Sequence, residues 1–132
     1  MEQVGLTTLS GIVIRRVDGI VTFWSPGMEE RYGFSYGDAF GRVSSELLRT
    51  IFPRARAEIE ADFLEEGTWI GGVFNYRADG GQVATALRWD AFPGVDGRGS
   101  FIAETHSDIR RERADTVGLL GDLMELIARE LS

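Results

Sequence analysis

Three apolar runs follow one another in the second half of the chain: WIGGVFNYR (residues 69–77), VATALRWDAF (83–92) and SFIAETH (100–106). The first join is Ala78-Asp79-Gly80-Gly81 and the second is Pro93-Gly94-Val95-Asp96-Gly97-Arg98-Gly99, both of them hairpin chemistry. Three strands joined by hairpins are antiparallel neighbours, and a sheet built from them must cover one face with something else. That requirement restricts the fold more than any other feature of the sequence.

The first half supplies two more strands and the cover. Residues 10–24, SGIVIRRVDGIVTFW, read as two short β-rich runs around Val17-Asp18-Gly19, a hairpin with a strong turn signal. In SPGMEERYG, Ser25 can cap a helix, Pro26 suits its first position, Glu29 and Glu30 favour its positive end, and Gly33 stops it. Ser35 and Asp38 have capping-box spacing for a single-turn helix ending at Gly41, and SSELLRTIF is a third short helical piece. From Pro53 to Glu66 the apolar residues Ala55, Ile59 and Phe63 recur every fourth position, one face of an amphipathic helix that Gly67 ends. With strands at both ends and helices between, the expected architecture is α+β: one five-stranded antiparallel sheet with short helices on one face. No internal repeat or low-complexity segment interrupts it.

Composition narrows the chemistry. A chain of 132 residues is the size of one domain with a real core. A net charge of -7 argues against a nucleic-acid partner, which needs a basic face. No apolar run approaches the roughly 20 residues that span a bilayer, and the first residues lack a signal peptide's charged start and apolar stretch. The reading is therefore no membrane and a cytoplasmic location. With no cysteine and one histidine, disulfides, thiolate nucleophiles, multi-His metal sites and the common triads are excluded within this chain. Glu104 and Asp108 share the strand parity of that histidine, His106, but no nucleophile or oxyanion donor accompanies them. No catalytic residue and no metal ligand is assigned, and the chain is not expected to be an enzyme.

Taken in order, DGIVTFWSPGMEERYGFSYGDAFGR, TWIGGVFNYRADGGQV and DGRGSFIAETHSDIRRER resemble a PAS domain over about residues 8 to 113. The resemblance rests on the Asp-Gly turn before the second strand, Trp24-Ser25, the Tyr32-Gly33-Phe34-Ser35 step, Trp69-x-Gly71, Asp79-Gly80, and Asp108-Ile109 at the exit. Arg110 stands where family members often have Thr. The resemblance implies a sensory or interaction module with a small cavity between the sheet and its helices. It divides the chain into an N-terminal segment (1–9), the domain (10–109) and a C-terminal amphipathic, coiled-coil-like signalling helix (110–132).

Strand parity, set against the flavin-binding LOV members of that family, places Val73, Asn75, Leu87, Trp89, Ile102 and His106 on the cavity side, with Phe63 closing over from the helix. Asn75 falls on a flavin-contacting Asn, and His106 falls where LOV domains carry Gln. Ser44, however, replaces their adduct-forming Cys, which excludes covalent flavin photochemistry. Haem ligands in this family come from the helical side, where residues 53–67 hold no histidine. No cofactor is therefore expected, with haem or non-covalent flavin as alternatives. His106 reads either as a core histidine partnered by a group such as Asn75 or as a contact to a small-molecule ligand.

At the exit, Asp108 reads as a helix N-cap and, with Ile109, as the relay into the C-terminal helix. Val117, Leu120, Met124, Ile127 and Leu131 are spaced 3, 4, 3, 4, a heptad seam that predicts a parallel homodimer. The alternative is a helix folded back on its own sheet. The terminal ELIARELS resembles the run before the phospho-acceptor histidine of HWE-type histidine kinases. The expected role is thus a sensor or signal-relay domain of a bacterial two-component protein, with an output domain in the parent chain. The rival reading is a ligand-free dimerisation or docking module.

Overall fold

The computed structural model describes residues 10–93 and 100–109. Five strands, β1 (Gly11–Arg16), β2 (Val21–Trp24), β3 (Thr68–Tyr76), β4 (Gln82–Pro93) and β5 (Ser100–Ser107), form one antiparallel sheet in the order β2-β1-β5-β4-β3. The amino-terminal hairpin thus docks on the last strand, so β1 and β5 lie side by side at the centre of the inner face. Between β2 and β3 run four helices: α1 (Pro26–Tyr32), α2 (Tyr36–Ala39), α3 (Ser44–Leu47) and α4 (Arg56–Glu66).

The local signals act as the sequence implies. The Ser25 hydroxyl accepts from the Met28 N–H at the start of α1, and Gly33 ends that helix in the left-handed region. Ser35 and Asp38 form a reciprocal capping box on α2. The long helix begins at Arg56, three residues later than the expected Pro53: Ala55 (ψ 131°) is its N-cap and stands outside α4, so Ile59 and Phe63 carry the buried face. α1 crosses β1 closely enough that a Cβ on Gly27 would overlap the Ser10 carbonyl oxygen.

The helical connection also closes the sheet's edges. Arg42 and Gly41 exchange backbone hydrogen bonds with Val21 on β2, while Ile51 pairs with Phe74 on β3. Both exposed rows of backbone donors and acceptors are blunted in this way. The core has two apolar halves. One gathers Val13, Val21, Trp24, Met28, Tyr32 and Leu48 under α1 to α3, and the other gathers Ile59, Phe63, Trp69, Val73, Leu87, Trp89 and Ile102 under α4. Polar side chains fill the boundary between them. Among the described residues no helix is long and apolar enough to cross a membrane. The heptad seam of Val117, Leu120, Met124, Ile127 and Leu131 lies outside the described residues.

Candidate functional site

Register decides which side chains meet at that boundary. Across the inner face Leu87, His106 and Gly11 stand opposite one another, as do Trp89, Glu104 and Val13, and Ala91, Ile102 and Arg15. Arg15 lies next to the row of Glu104 on the same face, and its guanidinium Nε bonds the Glu104 carboxylate with both side chains buried. Burying such a pair is tolerable only if every remaining lone pair finds a donor. The carboxylate does: Oε2 also accepts from the Ser44 hydroxyl at 3.1 Å, and Oε1 faces His106 Nε2 at 2.9 Å.

The chain of contacts continues from the other ring nitrogen. His106 Nδ1 lies 3.0 Å from the Tyr32 hydroxyl, which Thr85 Oγ1 approaches to 2.9 Å. Asn75 Nδ2 donates to the Tyr32 oxygen at 2.9 Å and Arg31 Nε at 3.3 Å. Asn75 in turn accepts from the Thr50 hydroxyl. Arg31, buried on α1, ion-pairs through Nη1 with Asp108 Oδ1 at 2.9 Å, at the end of β5. A continuous polar path therefore runs Arg15–Glu104–His106–Tyr32–Arg31–Asp108.

The charges along it are coupled. Burial pushes the Glu104 carboxyl up, but the hydrogen bond from His106 and the charge of Arg15 more than reverse this and hold it at about 2. Burial likewise drives His106 toward its neutral form; the Tyr32 oxygen and Glu104 outweigh that, so its protonated form persists above the usual histidine range. Burial raises Tyr32, and His106, Arg31, Thr85 and Asn75 together pull it below the usual phenol range.

With His106 neutral, Nε2–H donates to Glu104 and Nδ1 accepts the Tyr32 O–H. Protonation puts a hydrogen on Nδ1, so Tyr32 must accept there and turn its own O–H to Thr85. The Tyr32 oxygen then has more donors than lone pairs, and the longest contact, from Arg31 Nε, is the one to yield.

Beside this path lies a cleft of about 330 Å³ between α4 and the sheet, walled by Phe63 and Leu64, by Trp89 and Ala91 on β4, by Ile102 and by Arg15. Trp89 packs edge-on against Phe63, and the Arg15 guanidinium sits 4.8 Å from the centre of its ring. The six cavity residues expected from parity, and Phe63 from the helix, are all buried, but they divide. Phe63, Trp89 and Ile102 wall the cleft, Val73 and Leu87 pack in the apolar half, and Asn75 and His106 belong to the polar path. Asn75 does not bond His106 directly, because the Tyr32 hydroxyl from α1 comes between them. Asp108 pairs with Arg31, and the helix it was expected to cap lies outside the described residues, as does the relay's continuation beyond Ile109.

Arg15, Arg31, Tyr32, Ser44 and Thr85 were not foreseen as site residues. Parity in IVIRR places Arg15 inward with Val13, a signal available in the sequence; the partners from α1 and α3 leave no such trace.

Neither implied cofactor fits this arrangement. Both nitrogens of His106 are engaged, which leaves none for iron. Asn75 and His106 spend their polar atoms on Tyr32, Thr50 and Glu104 rather than on an open flavin-sized space. Among the described residues no three of His, Cys, Asp and Glu gather as metal ligands.

Comparison with solved structures places this geometry in a known fold. The chain superposes on a PAS domain from Colwellia psychrerythraea with a TM-score of 0.64 and 19% identity, covering 82% of this chain and 95% of that one. The dark structure of the LOV domain of the blue-light photoreceptor Aureochrome1 gives 0.67 and 19%, covering 92% and 88%. The PAS domain of the fruit-fly ELK potassium channel gives 0.62 and 15%, covering 83% and 97%. No family model and no curated protein matches the sequence. The chain has the PAS fold.

Proposed function

We propose that this domain is a sensor and signal-relay module of a bacterial signalling protein of the histidine-kinase class. In this reading a change in the interior passes through Asp108 and Ile109 to a dimeric helix built on Val117, Leu120, Met124, Ile127 and Leu131. The observation that carries it is the unbroken polar path from Arg15 at the cleft wall to Asp108 at the end of β5. A path made only for stability has no need to reach the exit. The use of the same fold in a blue-light photoreceptor and in a potassium channel agrees with a regulatory role. The relay step is the hydrogen-bond reversal at Tyr32, which loosens Arg31 and with it the hold on Asp108.

The chain's single histidine makes the test direct. On titration of the His106 imidazole by NMR, the Arg31 Nε–H and the amides of Asp108 and Ile109 should move with the same midpoint. In Tyr32→Phe, His106 should still titrate while the Arg31 signal stays still. A stationary Arg31 signal in the wild type, with His106 titrating, sinks the relay. For the helix, light scattering should show a dimer that Leu120→Asp and Met124→Asp dissociate; equal masses for all three would leave the fold-back alternative.

A further inference from the structure

The Tyr32 oxygen is crowded, and its neighbours differ in how freely they can give way. Asn75 is fixed: its Oδ1 accepts from the Thr50 hydroxyl, which turns Nδ2 toward Tyr32 at 2.9 Å. Thr85, fully buried on β4, holds its hydroxyl 2.9 Å from the same oxygen, where it can accept the Tyr32 O–H. The Thr85 oxygen also accepts from Arg31 Nη2 at 3.4 Å. The groups around His106 then leave one natural variable. On β5, Glu104 faces Nε2, and Arg15 on β1 pairs with that carboxylate. From α1 come Tyr32 and Arg31, the second of them paired with Asp108 at the end of β5. β3 and β4 contribute the neutral Asn75, Thr85 and Leu87, and α3 the Ser44 hydroxyl. Within this set the imidazole is the group suited to exchange a proton near neutrality.

Resting on the sensor reading, we infer that the signal this domain reads is pH: the proton on His106 Nδ1 is the ligand, and Thr85 is the positioning residue that makes room for it by accepting the displaced Tyr32 O–H. As pH rises the proton leaves, the Tyr32 O–H turns back to Nδ1, and a lone pair returns to Arg31 Nε. The hold of Arg31 on Asp108 then tightens. Raised pH is the holding state and lowered pH the released one. Because the folded protein keeps the His106 proton above the usual histidine range, the change falls on the alkaline side of that range.

The test follows the His106 Cε1–H and the amides of Asp108 and Ile109 by NMR as pH is raised, in the wild type, Thr85→Val and Thr85→Ser. With His106 neutral, Tyr32 donates to Nδ1 and needs no acceptor on β4. With His106 protonated, its O–H has Thr85 to go to. Thr85→Val keeps the shape but strands that O–H in the protonated state alone. Proton affinity should therefore fall by about fivefold or more, the effect of leaving a buried group unpaired. Thr85→Ser keeps the hydroxyl and should keep the wild-type midpoint. If Thr85→Val does not fold, Thr85→Ala carries the same expectation. An unchanged midpoint in the folded variant overturns the assignment of Thr85. A wild-type His106 that never titrates while the protein stays folded overturns pH as the signal and leaves the relay to another input. If Thr85→Val lowers the midpoint while Asp108 and Ile109 stay still in the wild type, the proton site stands and the relay reading fails.

Discussion

Replacing Glu104 by Gln removes one charge from the interior while keeping the side chain's size, and the structure sets the size of the effect. The carboxyl lies at about 2 in the folded protein against an ordinary 4.5, and at 4% exposure there is little solvent to screen it. At about 1.4 kcal/mol per pH unit, that difference is worth about 3 kcal/mol. Because the folded value is depressed, this stability is fully present above about pH 5 and is lost as pH falls toward 2. His106 acts in the opposite sense. Its folded value is raised, so its contribution is full below the usual histidine range and is lost as pH climbs through the folded value. Wild-type stability should therefore fall away on both sides of a maximum between these two limbs.

In Glu104→Gln the amide oxygen can still accept from Arg15 and Ser44, but its NH2 then faces His106 Nε2 and forces that nitrogen to be the acceptor. Arg15 is left buried without a counter-charge, at a cost of about 3–5 kcal/mol, against a typical total of about 5–15 kcal/mol. Urea unfolding from pH 2 to 9 should show the acid limb flattened in the variant, and the His106 Cε1–H titration should drop well below its wild-type midpoint. An acid limb of unchanged slope, or a wild-type His106 midpoint at or below the ordinary histidine value, would refute the coupling.

Two further changes test the frame around that network. Asp108→Ala removes the partner of a buried arginine, but Asp108 is itself 44% exposed and screened, so the loss should be about 1 kcal/mol, a melting shift of about 3–5 °C; an unshifted melt would mean the pair contributes nothing. Gly27→Ala puts a methyl onto the Ser10 carbonyl oxygen where α1 meets β1 and should destabilise the fold by about 1–3 kcal/mol, read by denaturant midpoint, while Gly80→Ala, with open space around its Cβ, should be strained only by its φ of 92°.

Much of this fold was legible from short-range chemistry. The Asp-Gly turns, the Ser25 and Ser35 caps, Gly33 and Gly67, and strand alternation each act over a few residues, so the sequence displays them directly. Alternation, set against the strand register of the LOV resemblance, also placed Asn75, His106 and Trp89 inward. What was not legible depends on distance across the fold. Arg31 and Tyr32 look like the end of an ordinary surface helix, and only the packing of α1 over the central strands brings them to Thr85 and His106 across 53 to 74 residues of sequence. Tyr32 then occupies the space between His106 and Asn75 that strand register alone leaves open. The division of the expected cavity has the same origin, since a long side chain from the opposite layer, not a strand residue, decides which inward positions border empty volume.

The closed bookkeeping of the network explains why it cannot be exchanged in part. A buried ion pair such as Arg15–Glu104 is often matched or bettered by two apolar residues of similar volume. Here that swap would orphan the Ser44 hydroxyl and His106 Nε2–H, because both donate to the same carboxylate. Removing His106 as well would leave the Tyr32 O–H only Thr85 Oγ1 to donate to, and removing Tyr32 would strand Asn75 Nδ2. Most of these deletions change the partners of the next member, along a path that ends at Asp108, 44% exposed, with water beside it. A set of groups that relaxes most freely at its exposed end carries a disturbance of its buried end in that direction.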